Sequence, residues 1–306
     1  ELSPTTIQLE DELFNATNTA HLTGGVRITI GAKAQIESPL QIIHVLKGDY
    51  IISNFRTIVK AERFSKAEIV QGFFSENGES NFCNNVTEVN VEENAFLSIN
   101  KIQYESEHSF HVSTEEVQQA KSSNFTINTF TLNGGLVRNN LNINVNGENC
   151  ESHLNGAYLL KGKQHVDNHS IVDHKVPNCE SFELYKGVID DNSTGVFNGK
   201  VYVRPNAQKI NAFQSNANVL MSDNATINSK PELEIYADDV KCSHGSTTGQ
   251  LDEEAVFYLR ARGLSEKSAR ELMVSAFIGE VLDKIENKEV LDFVHSILKD
   301  RFDWNF

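Results

Sequence analysis

Cys242 and His244 lie two residues apart and form the first combination in the sequence that could bind a metal. If the segment around them is extended, both side chains project from one face, because side chains alternate along a strand. A thiolate sulfur and an imidazole nitrogen are ligands for zinc or iron. Two ligands make half a site, so the other donors would have to come from elsewhere in the chain or from a second chain. The alternative is a chance pairing in an ordinary strand.

A second group of metal-binding residue types lies between residues 165 and 179. Their types suit zinc or iron, but their spacing fits no single face of a helix or strand. We therefore expect structural roles for most of them, with a metal site as the alternative. The group consists of His165, His169, Asp173, His174 and Cys179.

Known catalytic signatures are absent from the sequence, which contains no phosphate-binding glycine loop, GxSxG, HExxH or dinucleotide fingerprint. The pairs Asp190-Asp191 and Asp238-Asp239 are the acidic pairs that a polysaccharide lyase or hydrolase could use. We interpret them instead as solvated corners. The small polar segment 245–249 lacks the lysine of a nucleotide loop and is interpreted as a linker. The sequence thus favours a protein that is not an enzyme.

Short alternating segments dominate the chain before residue 250. Alternation of apolar and polar residues, as in 26–30, 125–130 and 141–145, is typical of half-buried strands. Asparagine accounts for 32 of the 306 residues, and its tolerance of left-handed backbone suits tight corners. Close corners and short strands favour a β-helix, with a sandwich or barrel as the alternative. The predicted β-helix spans residues 1–250.

The pattern changes to helical after Leu251, which predicts a small helical domain over residues 251–306. Acidic residues 252–254 suit a first helical turn, Gly263 suits the position after a helix end, and Ser265 can cap the next helix. A helical period predicts one buried stripe in the second helix and another in a third helix. The first stripe consists of Ala269, Leu272, Met273, Ala276, Phe277 and Val281, and the second of Val290, Leu291, Val294 and Leu298.

Charge and composition exclude several classes of protein. A net charge of -15 makes the chain a poor partner for nucleic acid or an anionic membrane. An apolar content of 39% can support a sizeable core, and no apolar run reaches the length of a membrane span. Four cysteines without close pairing suggest reduced thiols, which favours a cytoplasmic location.

From residue 172 onward the chain contains a series of linked runs at 173–181, 185–187, 195–200, 207–212, 230–245, 249–254 and 257–263. Together these runs resemble the SufB/SufD family of iron–sulfur cluster assembly proteins. The clearest run, Asp238-Asp239-Val240-Lys241-Cys242-Ser243-His244-Gly245, looks like the SufD branch of that family rather than the SufB branch. About 100 residues carry the resemblance, in the order found in the family.

The resemblance implies a β-helix and a C-terminal helical domain in a non-catalytic scaffold subunit of the SufBCD complex. It implies pairing with SufB through the last rungs and docking of the SufC ATPase by the C-terminal helices. A transient iron–sulfur cluster would form at the SufB interface, with His244 and Cys242 near it, and none would bind tightly to the isolated chain. Contacts with SufC, or packing between helices, are expected from Phe257, Tyr258, Leu259, Phe277 and Val281.

Three further expectations follow from the same resemblance. Some complexes of the family carry reduced flavin, although no residue here locates a flavin site. The family has an N-terminal helical region that we do not expect in this sequence, and the start of the chain, up to about position 20, is expected to be a linker from it. Self-pairing in place of SufB is an open alternative, because an exposed strand edge must be paired or protected.

Overall fold

The chain forms a parallel β-solenoid, described by a computed structural model over residues 2–3, 6–7, 12–76, 78 and 80–302. In this part of the chain, successive strands alternate between two eight-stranded sheets, and each strand pairs in parallel with the strand one rung away. Sheet A contains β1 (Gly24–Ile30), β3 (Ile52–Ala61), β5 (Phe82–Val91), β7 (Phe110–Gln119), β9 (Leu136–Val145), β11 (His165–His174), β13 (Thr194–Val203) and β15 (Thr226–Ile235). Sheet B contains β2 (Leu40–Leu46), β4 (Lys66–Ser75), β6 (Phe96–Tyr104), β8 (Asn124–Asn133), β10 (Glu151–Leu160), β12 (Glu180–Ile189), β14 (Ile210–Leu220) and β16 (Val240–Gln250). The predicted β-helix is confirmed.

The interior of the solenoid is built from columns of side chains that occupy the same register position in successive rungs. Every second residue points inward, so a β-branched residue at one position stacks on its equivalents about 4.8 Å away. These stacked aliphatic residues form one continuous hydrophobic core between the two sheets. One such column in sheet A consists of Val59, Val89, Val117, Ile143, Val172 and Val201.

Most of the corners that lead into sheet B repeat one backbone conformation. At these corners one residue has a positive φ, as at Asn94 (58°), Asn149 (60°) and Asn178 (61°). At Asn94 and Asn178 the N–H of this residue donates to a carbonyl of the next rung, for example from Asn178 to Gln208 at 2.9 Å. Asparagine tolerates the left-handed region, so the predicted use of asparagine at corners is confirmed here.

Many other asparagines lie within strands, which the sequence interpretation did not foresee. Asn155 donates to Asn128 at 2.9 Å, Asn128 donates to Asn100 at 2.8 Å, and Asn100 donates to Glu68 at 2.6 Å. Because parallel rungs repeat in register, an amide on one rung meets an amide on the next. The asparagine excess therefore reflects these ladders as well as the corners.

The C-terminal helices are α2 (Glu253–Ala261), α3 (Glu266–Leu282) and α4 (Lys288–Phe302). Asp252 caps α2 by accepting from two backbone N–H groups at 2.9 and 3.1 Å, and Ser265 caps α3 at 3.0 Å. Gly263 follows α2 with a φ of 101°, as predicted. The helices pack on the outer face of sheet B and share a second hydrophobic cluster with it. Among the described residues, no helix is long and apolar enough to cross a bilayer.

Two predictions about this region are wrong. Residues 245–249 are not a linker but part of β16, since every residue from Val240 to Gln250 pairs in register with β14. The available partner strand outweighs the low strand preference of glycine and serine. The buried stripe of α3 is rotated, because its contact with β10 and β12 selects a different face. Leu272 and Ala276 are exposed, Met273 and Phe277 are half-buried, and the buried residues are Ala269, Val274, Ile278, Val281 and Leu282.

The N-terminal segment contains one short helix, α1 (Leu13–Ala20), which packs on the outer face of sheet A. Asn18 of this helix donates to the carbonyls of Phe55 and Asn84 at 3.0 and 2.9 Å. Residues 1, 4, 5 and 8–11 of the expected linker lie outside the described residues, as do residues 303–306 at the other end.

Candidate functional site

Cys242 and His244 lie on β16, the last strand of the solenoid. They pair in register with Ala212 and Gln214 of β14, which are 0% and 3% exposed and point into the interior. Cys242 and His244 therefore also project toward the inner side, and the prediction that they share a face is confirmed. No later strand of the described chain covers this rung. Cys242 is consequently only half-buried and His244 is exposed.

The two residues remain half a metal site within this chain. Two residues along a strand separate their Cα atoms by about 7 Å, a span that side chains can bridge by leaning toward a shared ion. In the part of the chain that is described, no third histidine, cysteine or carboxylate converges with them. Burial raises the pKa of the Cys242 thiol, so the unbound sulfur carries a proton that a metal must displace.

The column beneath His244 changes from apolar to polar over the last three rungs. It contains Ile127 and Leu154 in β8 and β10, and then Glu183, Gln214 and His244. Glu183 accepts hydrogen bonds from Ser170 at 2.5 Å and from the Gln214 side-chain N–H at 2.6 Å. Burial raises the pKa of Glu183 to about 7, against the opposing effect of these two donors. The buried side-chain oxygen of Gln214 has no hydrogen-bond partner among the described residues.

A second polar network connects the interior with the open rung. Tyr158 donates to Asn218 at 2.5 Å, and Asn218 donates to Asn216 at 2.8 Å. Asn216 accepts from Ser229 of β15, whose hydroxyl also contacts Ser246 of β16 at 2.8 Å. The interior near the last rung is thus lined by hydrogen-bonding groups that end at the exposed strand carrying His244.

Sequence reasoning missed Glu183, Gln214 and this network. The signal that could have found them is the length of one rung. Gln214 follows Glu183 at a sequence separation of 31, and His244 follows Gln214 at nearly the same separation as its in-register partner. Polar residues at the interior position of consecutive rungs can be recognised as one column only when the length of this repeat is known.

The histidine-rich group 165–179 does not converge. His169 lies on the outer face of sheet A and contacts Asp167 at 2.9 Å. His174 points inward, is fully buried and contacts the Ser181 hydroxyl at 3.0 Å. Burial lowers the pKa of His174 to about 4, so it stays neutral. Asp173 forms a bidentate ion pair with Arg204 at 2.8 and 2.9 Å, and these are structural contacts.

The two acidic pairs lie at corners between strands. Asp191 has a φ of 53° and accepts from the backbone N–H of Gly162 at 2.8 Å. Asp238 and Asp239 are exposed on the corner that precedes β16. These positions agree with the interpretation of the pairs as corner residues.

Five residues of the helical domain were expected to contact a partner or to pack between helices. In the structure they divide into two groups. Phe257 and Tyr258 on α2 are 72% and 57% exposed. Leu259 and Phe277 pack partly against the cluster shared with sheet B, and Val281 is fully buried in it. In addition, Lys186 of β12 holds α3 by donating to the backbone carbonyl of Phe277 at 2.8 Å. Of the five, only Phe257 and Tyr258 are available to a partner.

Comparison with known proteins gives consistent matches over most of the chain. The family profile "SUF system FeS cluster assembly, SufBD core domain" matches residues 44–277. An iron–sulfur cluster assembly SufBD family protein of Synechocystis is 36% identical over 285 residues, which cover 90% of this chain and 63% of that protein. The iron–sulfur cluster assembly protein SufD of Escherichia coli is 31% identical over 254 residues, 82% of this chain and 60% of that protein. A SufBD family protein of Mycobacterium tuberculosis is 30% identical over 287 residues, 91% of this chain and 70% of that protein. The chain thus spans about three fifths of the length of the first two relatives.

Proposed function

The chain belongs to the SufBD family of iron–sulfur cluster assembly proteins, and from this premise we propose that it is a non-catalytic scaffold subunit. In this proposal its last rung pairs with SufB, and its C-terminal helices dock the SufC ATPase. The nascent cluster is the cargo, held between the two solenoids with His244 and Cys242 among its ligands.

The observation that carries the proposal is the half-site on an open edge. In the described chain, β15 and β16 each have a partner on one side only, so their outer backbone groups are free to pair. A second solenoid that continues the two sheets would cover the inner side of β16. It would also bring further donors toward Cys242 and His244, which sit where the two interiors would meet.

The exposed pair on α2 supports a docking role for the helices. Phe257 and Tyr258 are large side chains left in water, while the opposite side of α2, including Val256, packs into the cluster with sheet B. Burying a side chain of this size contributes about 1.5 to 3 kcal/mol. Two such residues can therefore anchor a protein contact.

The cluster role is tested by copurifying the chain with its cognate SufB and SufC and reconstituting the complex with iron and sulfide without oxygen. We expect His244→Ala to abolish or strongly reduce cluster formation and Cys242→Ser to reduce it, with complex assembly intact. The matched control is His108→Ala, because His108 is also an exposed histidine but lies at the corner between β6 and β7. Unchanged cluster formation in His244→Ala would remove its assigned role.

The pairing edge is tested separately with Thr248→Lys. Thr248 is exposed and stacks in register on the interior residue Asn218, so a lysine there is solvated in the free chain and buried in a paired one. We expect loss of the SufB complex with the thermal stability of the free chain retained. If SufB binding is retained, the last rung is not the contact. Sedimentation of the wild type alone shows whether two copies pair instead, and Thr248→Lys should disrupt that dimer too.

The docking surface is tested with Phe257→Ser combined with Tyr258→Ser. The control Leu272→Ser replaces another exposed apolar residue, 50% exposed, that lies on α3. We expect the double variant to lose SufC while SufB binding is retained. Equal SufC affinity in the double variant and the control would show that α2 is not the docking site.

A further inference from the structure

A buried cluster of three potential metal ligands lies inside the early rungs of the solenoid. Ligand atoms of Cys83, Glu105 and His111 lie within 4.8 Å of one another. The three residues are 2%, 2% and 1% exposed. None of them was singled out from the sequence, and none belongs to the half-site at the last rung.

The fold itself brings the three residues together. Cys83 on β5 and His111 on β7 are in-register partners in sheet A, so their side chains stack on the inner side of adjacent strands. Glu105 lies in the corner between β6, which ends at Tyr104, and β7, which begins at Phe110. This corner turns the carboxylate toward the histidine, whose Nδ1 is 2.6 Å from it.

Charge favours a cation at this position. The nearby buried pair Lys101–Glu115, at 2.7 Å, is neutral as a pair and leaves the carboxylate of Glu105 with the His111 ring nitrogen as its neighbour at 2.6 Å. A buried charge costs free energy unless it is paired. A divalent ion bound by a thiolate and a carboxylate balances both negative charges.

We propose that Cys83, Glu105 and His111 bind one divalent transition-metal ion inside the solenoid, at a site separate from Cys242 and His244. One sulfur, one nitrogen and one oxygen donor suit ions of intermediate softness such as Zn²⁺, Fe²⁺ or Co²⁺. The competing arrangement is an imidazolium–carboxylate ion pair beside a bystander thiol.

Binding at this site displaces the thiol proton of Cys83. Burial and the charge of Glu105 raise the pKa of this thiol well above its ordinary value, although Lys101 opposes them. The free thiol is therefore protonated at neutral pH, and binding of the ion as a thiolate complex releases one proton to solvent.

Access to the site from the first rung is closed by Phe73. This side chain is fully buried, stacks on His44 at 4.5 Å and meets the His111 ring edge-on at 4.7 Å. An ion should therefore enter most readily while the chain folds. Loading by refolding is the appropriate way to test the site.

The test is to unfold the full chain and refold it without oxygen in the presence of Co²⁺, then record its absorption and cobalt content. We expect one equivalent of cobalt with a thiolate-to-cobalt charge-transfer band. Cys83→Ser should lose that band, and Glu105→Gln or His111→Asn should weaken cobalt affinity at least tenfold. The matched controls are Cys150→Ser, which changes another buried cysteine, and His244→Ala, which removes a ligand of the proposed cluster site. Both should keep the band.

A second variant keeps the proposal testable if Cys83→Ser does not fold. Replacing Cys150, Cys179 and Cys242 together by serine leaves Cys83 as the sole thiol of the four cysteines, and the charge-transfer band should persist. Refolded wild type without thiolate-bound cobalt, loss of the band in the triple variant, or retention of it in a folded Cys83→Ser variant would each overturn the proposal. No partner protein is needed, so the outcome does not depend on the proposed scaffold role.

Discussion

Burial of Glu183 predicts a pH dependence of stability that is opposite in sign to that of most carboxylates. It is a buried carboxyl in the column beneath His244, and burial raises its pKa from 4.5 to about 7. A carboxyl with a raised pKa binds its proton more tightly in the folded chain than in the unfolded chain. Its neutral form is compatible with the fold at low pH, and the free energy of unfolding then falls as the pH rises from 4.5 to about 7.

The isosteric variant Glu183→Gln removes this ionisation. The glutamine oxygen can still accept from Gln214, and its amide can donate to the hydroxyl of Ser170, so both hydrogen-bonded neighbours stay satisfied. A shift from 4.5 to about 7 corresponds to about 3 kcal/mol. As the pH rises from acid to mildly alkaline values, we expect the free energy of unfolding of the variant to increase by about that much relative to wild type. Most of this change should occur between pH 5 and 8.

The assay is urea unfolding followed by far-ultraviolet circular dichroism at several pH values for both proteins. Infrared difference spectra should also show a protonated carboxyl band that disappears with a midpoint near the pKa and is missing in the variant. The control is Glu180→Gln, which removes a carboxyl from the outer face of the same strand. A pH-independent difference for Glu183→Gln, or a carboxyl band that titrates near 4.5, would refute the reasoning.

Three further predictions concern the contacts that hold the fold. Glu115→Gln leaves the ammonium of Lys101, 1% exposed, without its counter-charge. It should lower the free energy of unfolding in urea by about 3 to 5 kcal/mol. A decrease of less than about 1 kcal/mol would contradict this. Phe130→Ala opens a cavity where sheet B meets the C-terminal helices and should cost about 3 to 5 kcal/mol, with faster hydrogen exchange in α3. Asp252→Ala removes the cap of α2 and should cost about 1 kcal/mol, whereas Asp252→Asn should restore most of it.

The parts of the fold that depend on local patterns could be predicted from the sequence. Alternation located strands, and the acidic run 252–254, the cap at Ser265 and the break at Gly263 located the helix ends, because each depends on residues within one turn. Segment 245–249 was misassigned for the opposite reason. Its two glycines and its serine have no local preference for a strand, and pairing with β14 makes the segment one.

The surroundings of the candidate site could not be predicted, because they depend on the rung length, which varies. The interval along the chain is shorter from Leu154 to Glu183 than from Glu183 to Gln214, since corners differ in length. An irregular repeat hides the columns of an interior even when every strand is recognised. Cys83 and His111, which are in-register partners on adjacent rungs, were missed for the same reason.

Exchanging two neighbouring residues on β16 tests whether the direction of the His244 side chain matters, because the composition of the strand stays the same. In the double variant Ser243→His with His244→Ser, the imidazole moves to the outer face beside Phe213, the in-register neighbour of Ser243, because side chains alternate along the strand. Both positions are exposed, so stability should change by less than about 0.5 kcal/mol. If a ligand is needed where the interiors of two paired solenoids meet, cluster formation in the reconstituted complex should fall as far as in His244→Ala. If the exchanged variant assembles clusters at the wild-type level, the direction of this side chain is irrelevant, and the inference from the open rung fails even though the histidine is still present.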